Sequence, residues 1–135
     1  MSIVFTPGYV LVAKGDGAVP VYTAPKAFLW TYTTALTQSL LVQNAYMVDS
    51  PGECVLTLPV NANLGDTIKI IAKNTNRIII AQNAGQQIIL DYNTATTVGI
   101  SGSLTNTRKY DTIEITCISP STLWLAQITG KWNPQ

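Results

Sequence analysis

From Cys54 onward, apolar side chains recur at every second position in short runs closed by turn residues. In Cys54-Val-Leu-Thr-Leu58, Cys54, Leu56 and Leu58 share one face, with Val55 and Thr57 on the other, and Pro59 ends the run. After the loop Asn61–Asp66, Ile68, Ile70 and Ala72 point one way and Lys69 and Lys73 the other, with Ile71 as an apolar exception on the lysine face. Ile78-Ile-Ile-Ala81 is apolar on both faces, which predicts a central strand or one at an interface. Gln87-Ile-Ile-Leu90 follows the Asn83-Ala-Gly85 turn, and a Thr- and Gly-rich stretch leads to Leu104. In the last hairpin, Ile113, Ile115 and Cys117 alternate with Glu114 and Thr116. Ser119–Thr122 turns the chain, and Leu123–Thr129 returns with Trp124, Ala126 and Ile128 on one face. Short alternating runs at nearly even spacing predict an all-β fold: an antiparallel β-sandwich, jelly-roll-like, over residues 28–135.

The first part of the chain reads differently. Residues 1–27 form an extended N-terminal arm: Tyr9–Ala13, a Lys14-Gly-Asp-Gly17 turn, and Ala18–Tyr22, where Pro20 removes a ladder donor. Such an arm is expected to anchor the protein or to contact another subunit. Residues 28–48 are rich in β-branched and aromatic side chains and predict strands. Ala35, Leu36, Ser39 and Leu40 also match helical spacing, so a helical turn competes between Thr33 and Gln43. Trp132, beside the C-terminus, is expected to be packed. With no glycine fingerprint ahead of a helix and no 20–50-residue period, neither a dinucleotide fold nor a repeat solenoid is expected.

Charge changes the picture. Only 11% of the residues are charged, against about 25% in an ordinary domain, and the difference is made up by Thr, Asn, Gln and Ser. Between Ile78 and Leu104 the single charge is Asp91. That is a poor surface for an isolated monomer, so a homo-oligomer is expected, with Ile78, Ile79, Ile80, Ile88, Leu90 and Leu104 as the candidate subunit interface. The net charge of +1 carries no basic run, which argues against nucleic-acid binding. No apolar stretch is long enough for a membrane span. Residues 1–20 hold Pro7, Gly8, Gly15, Asp16 and Gly17 and no apolar core of a signal peptide, so no export signal is expected.

Catalytic chemistry finds little to work with. The chain has no histidine, which removes the commonest general base and metal ligand. Two cysteines, Cys54 and Cys117, make no zinc or redox motif and are expected as buried thiols. Asp66 and Asp111 each sit between a turn and a strand, where a carboxylate caps backbone N–H groups. A glycan hydrolase using paired carboxylates such as these is the least supported reading. No enzyme, cofactor, metal site or catalytic residue is predicted. The aromatic residues allow a second reading, a carbohydrate-binding adhesin module that stacks a host surface glycan.

At Leu56-Thr-Leu-Pro59, Gly65-Asp-Thr-Ile68, Ala81-Gln-Asn-Ala-Gly-Gln86, Gly102-Ser-Leu104 and Tyr110–Cys117, the sequence resembles β modules near the C-termini of phage and bacterial tail-fibre-like proteins. Pro7–Ala13 and Ala18–Val21 resemble the leader of such modules. The resemblance implies a structural protein of the virion, trimeric, serving as a capsid or tail decoration protein or as an attachment tip. Its partners would be other virion proteins, reached through residues 1–27. One such module per chain implies a small knob rather than a long fibre.

Overall fold

The computed structural model describes residues 10–12, 21–23 and 28–135. The described residues form fourteen strands and no helix. β1 (Val10–Val12) pairs antiparallel with β2 (Val21–Thr23) as a separate ladder. The Lys14–Gly17 turn and Pro20 lie outside the described residues.

The body is built from β3 (Leu29–Thr33), β4 (Thr37–Ser39), β5 (Asn44–Val48), β6 (Cys54–Thr57), β7 (Thr67–Ala72), β8 (Ile78–Ala81) and β9 (Gln87–Asp91). It continues with β10 (Thr94–Ala95), β11 (Ser103–Asn106), β12 (Thr112–Ser119), β13 (Leu123–Thr129) and β14 (Asn133–Pro134). Seven strands form one sheet in the order β10-β9-β13-β12-β7-β5-β3, and five form another in the order β14-β11-β8-β6-β4. One apolar cluster draws on both sheets: Tyr46, Ile68, Ile70, Ile88, Ile115 and Trp124 from the larger, Cys54, Leu56, Ile78, Ile80 and Leu104 from the smaller. Ile70 and Ile80 have no exposed surface. Burying one such side chain stabilises the fold by roughly 1.5–3 kcal/mol.

The expected antiparallel pairing needs correction, because the sheets are mixed. The last hairpin, β12 with β13, is antiparallel as expected, as are β12–β7 and β11–β8. But β3–β5, β5–β7, β4–β6, β6–β8 and β9–β13 are parallel. From β3 to β9 each strand belongs to the opposite sheet from the one before it. Each turn therefore carries the chain across to the facing sheet, not back beside the strand it left. Parallel neighbours need a crossover, and here the crossover is a strand of the other sheet. Residues 29–81 thus wind as a short coil of parallel neighbours, without the repeat of a solenoid. Leu29 lies beside Asn44 and Ala45 beside Lys69, so the first turn advances 15 residues and the second 24. Unequal turns leave no period in the sequence. The β12–β13 hairpin then inserts between β7 and β9.

The stretch where a helical turn competes is extended, with Thr37–Ser39 paired to β6. Cys54 and Cys117 are buried and unbonded. Trp132 is packed and donates its indole N–H to Thr112 O at 3.0 Å. Two buried polar atoms, Thr33 Oγ1 and Trp124 Nε1, have no partner among the described residues, each a local cost of about 1–3 kcal/mol. No helix among the described residues is long and apolar enough to cross a membrane.

Candidate functional site

Four of the six residues expected at a subunit interface lie in the core instead. Ile78, Ile80, Ile88 and Leu104 are core residues with at most 2% of their surface exposed, so they cannot meet a partner. Ile78 and Ile80 alternate inward along β8, which leaves Ile79 on the outer face, half-buried. There it lies between Val55 and Thr105, in a row that runs from Thr37 through to Asn133 and carries no charge. Leu90 is half-buried against the core. The low charge of this stretch is met by the core and by that neutral row, and it also leaves Tyr92, Val98 and Ile100 exposed.

The motif Ala81–Gln86 is a structural staple. Gln82 is buried, and its amide nitrogen donates to Gln86 O at 2.7 Å, Thr97 O at 2.9 Å and Gly99 O at 2.9 Å. Its amide oxygen accepts from the Thr96 hydroxyl, which in turn accepts from Ile88 N–H at 2.9 Å. Gln86 is buried as well and donates to Pro59 O at 2.7 Å and Ser121 O at 3.1 Å. Two side chains thus tie four loops together. A buried Gln is uncommon, and the turn-rich composition around it gave no sign of burial.

The carboxylates do not converge. Asp66 Oδ2 accepts from Asn63 N–H at 2.8 Å. Asp111 Oδ2 accepts from Lys131 N–H at 2.8 Å and from the Asn106 amide at 2.9 Å. Both are the capping roles expected of them. Asp91 accepts from Asn93 N–H at 2.7 Å. Glu53 lies 3.8 Å from Arg77 on the surface. Asp49 accepts from the Tyr32 hydroxyl and from the Asn74 amide, and Lys73 Nζ donates to Tyr32 Oη at 3.2 Å. The Tyr32 hydroxyl, and after it Asn74, hold the Asp49 carboxyl below the usual carboxylate range. The same hydroxyl raises Lys73 above its ordinary value.

Exposed apolar side chains occur at both ends of the sheets, at Tyr92, Val98 and Ile100 beside β10 and in a group at the first turn of the coil. Leu29, Trp30, Tyr32 and Leu36 are each more than half exposed. β3 and β4 are the edge strands of their sheets at this end. Leu29 N–H bonds to Gln43 O, and Thr33 O accepts from Asp49 N–H. By alternation, the backbone groups of Trp30 and Tyr32 therefore point to the edge that is unpaired among the described residues. In β4, Leu40 N–H bonds to Thr57 O and Leu36 O accepts from Val55 N–H, which leaves Thr37 and Ser39 facing outward in the same way.

On the outer face of the larger sheet, register aligns two rows. One runs Trp30, Ala45, Lys69, Glu114, Gln127; the next runs Tyr32, Met47, Ile71, Thr112, Thr129. Between them opens a groove of about 420 Å³, lined by Trp30, Lys69, Thr112, Glu114, Gln127 and Thr129 among others. Lys69 Nζ sits 4.3 Å from the centroid of the Phe28 ring. Neither the edge nor this groove was assigned from sequence. The alternation was visible at β7 and β12, but the lateral order of the strands was not. No protein-family model matches the chain, and no curated protein matches it either.

Proposed function

We propose that this chain is a non-enzymatic structural protein of a virion, a β module that joins copies of itself and serves as a decoration protein or an attachment tip. The observation behind the self-assembly is the end of the coil at β3 and β4. It combines backbone groups unpaired among the described residues with exposed Leu29, Tyr32 and Leu36. Exposed apolar edges template pairing with another chain, and proteins that stay single blunt them. The trimeric order and the virion setting rest on the resemblance to tail-fibre-like modules, with residues 1–27 as the anchor to other virion proteins. In architecture, the two sheets around one core make a β-sandwich in which a wound coil and an inserted hairpin replace jelly-roll connections.

Light scattering on the purified full chain tests the assembly. A mass three times that of the 14.6 kDa chain is expected. A dimer would keep the apolar edge as an interface and reject the trimer, and a monomer at all concentrations would reject self-assembly. The anchoring role predicts that deleting residues 1–27 abolishes binding to the particle while the body keeps its melting temperature.

A further inference from the structure

We propose that the outer-face groove of the seven-stranded sheet is a binding site for a neutral oligosaccharide. The site is set by register. Trp30 stands at one side, and Lys69, Glu114 and Gln127 continue its row across adjacent strands. Thr112 and Thr129 border the row next to it.

The chemistry of the lining selects the ligand. The half-exposed indole of Trp30 offers an apolar face to the C–H face of a sugar ring. Lys69 and the Gln127 amide donate hydrogen bonds, the Glu114 carboxylate accepts them, and the two threonine hydroxyls do both. A sugar hydroxyl needs this mixture of donors and acceptors within one groove. Lys69 and Glu114 are cross-strand neighbours, yet no ion pair joins them among the described residues, and the ammonium is held over the Phe28 ring instead. Both charges therefore keep hydrogen-bonding capacity for a ligand. One cation and one anion cancel, so the groove favours neither an anionic polymer nor a cationic peptide. Its volume of about 420 Å³ falls within the range of small-molecule sites, about 300–1,000 Å³. Trp30 and Glu114 are three strands apart, roughly 14 Å at the usual inter-strand spacing. That separation exceeds one sugar ring, so the expected ligand has several.

The three tryptophans make the test specific. Trp124 and Trp132 are buried, whereas Trp30 is not, so a ligand in the groove changes only the Trp30 emission. The full chain would be titrated into the millimolar range with maltotetraose, chitotetraose and a galactose tetramer, and with tetragalacturonate as an anionic control. Fluorescence and calorimetry would be read together. Binding of at least one neutral probe is expected, with a shift in Trp30 emission. Trp30→Ala and Glu114→Gln are each expected to weaken it about tenfold or more, the equivalent of 1.4 kcal/mol. Both side chains lie outside the core, and the melting temperature serves as the folding control. Absence of heat and emission change with all neutral probes would overturn the proposal. So would tighter binding of the anionic control, or binding that survives both substitutions in folded protein.

Discussion

At the far end of the paired sheets the edge strands are β10 and β14, two residues each. β10 carries a register shift between Thr94 and Ala95, and β14 contains Pro134, which has no N–H to offer. At the near end β3 runs five residues in unbroken register with β5, and its outward side chains are Trp30 and Tyr32. Short, bulged or proline-bearing edges resist pairing with other chains. A long apolar edge invites it. The far end is also where Gln82, Gln86 and Thr96 tie the loops together. One end is finished by short, irregular edge strands, although Tyr92, Val98 and Ile100 are exposed beside it, and the other carries the longer edge strand β3.

This contrast can be broken most severely at the finished end. A Cβ at Gly102 would lie 1.9 Å from Thr97 O and 2.5 Å from Gln82 Nε2. Thr97 O is backbone and cannot swing aside, so Gly102→Ala is expected to destabilise the fold by about 4 kcal/mol or more, measured by urea unfolding. Gln82→Leu removes the donor to three carbonyls. The expected loss is roughly 2–4 kcal/mol, since each buried group left unpaired costs about 1–3 kcal/mol. At the near end the matching change, Gln38→Leu, removes one surface contact to Ser39 O and should shift stability by about 0.5 kcal/mol or less.

A smaller effect belongs to the near end alone. Asp49 has a folded pKa below its unfolded value, through Tyr32 first and Asn74 second. Its contribution to stability is present above the unfolded value of 3.8 and is lost as pH falls through the lower folded value. Lys73 is shifted upward by Tyr32, so its contribution is present below 10.5 and is lost as pH rises through the folded value. Urea midpoints of the protein and of Asp49→Asn should therefore differ at neutral pH and converge in acid. A difference that stays constant to the lowest pH would remove Asp49 from the account.

Much of the strand content was legible because alternation survives any lateral order. Ile68, Ile70 and Ala72 face inward, as do Ile113, Ile115 and Cys117, in agreement with their spacing. The parallel winding was not legible. A strand that crosses to the facing sheet alternates just as one that turns back beside its neighbour does, and turns of 15 and 24 residues leave no repeat. The candidate interface failed for a related reason. An uncharged run such as Ile78–Ala81 fits either a subunit contact or a strand with the core on one side and the neutral row of Val55 and Thr105 on the other. The apolar edge was hidden because only the sheet order shows that β3 has one neighbour among the described residues.

The most direct measurement compares masses after charge is placed at each end. Leu29→Lys with Leu36→Lys alters the near end, and Tyr92→Lys alters a fully exposed side chain beside β10. None of the three side chains belongs to the core, so each variant should still fold, apart from the stability that assembly itself adds. By light scattering, the unaltered chain and Tyr92→Lys are predicted to be assembled, and the near-end double variant to be monomeric. An assembled double variant, or an unaltered chain that is already monomeric, would contradict the claim that this end is built for a second copy.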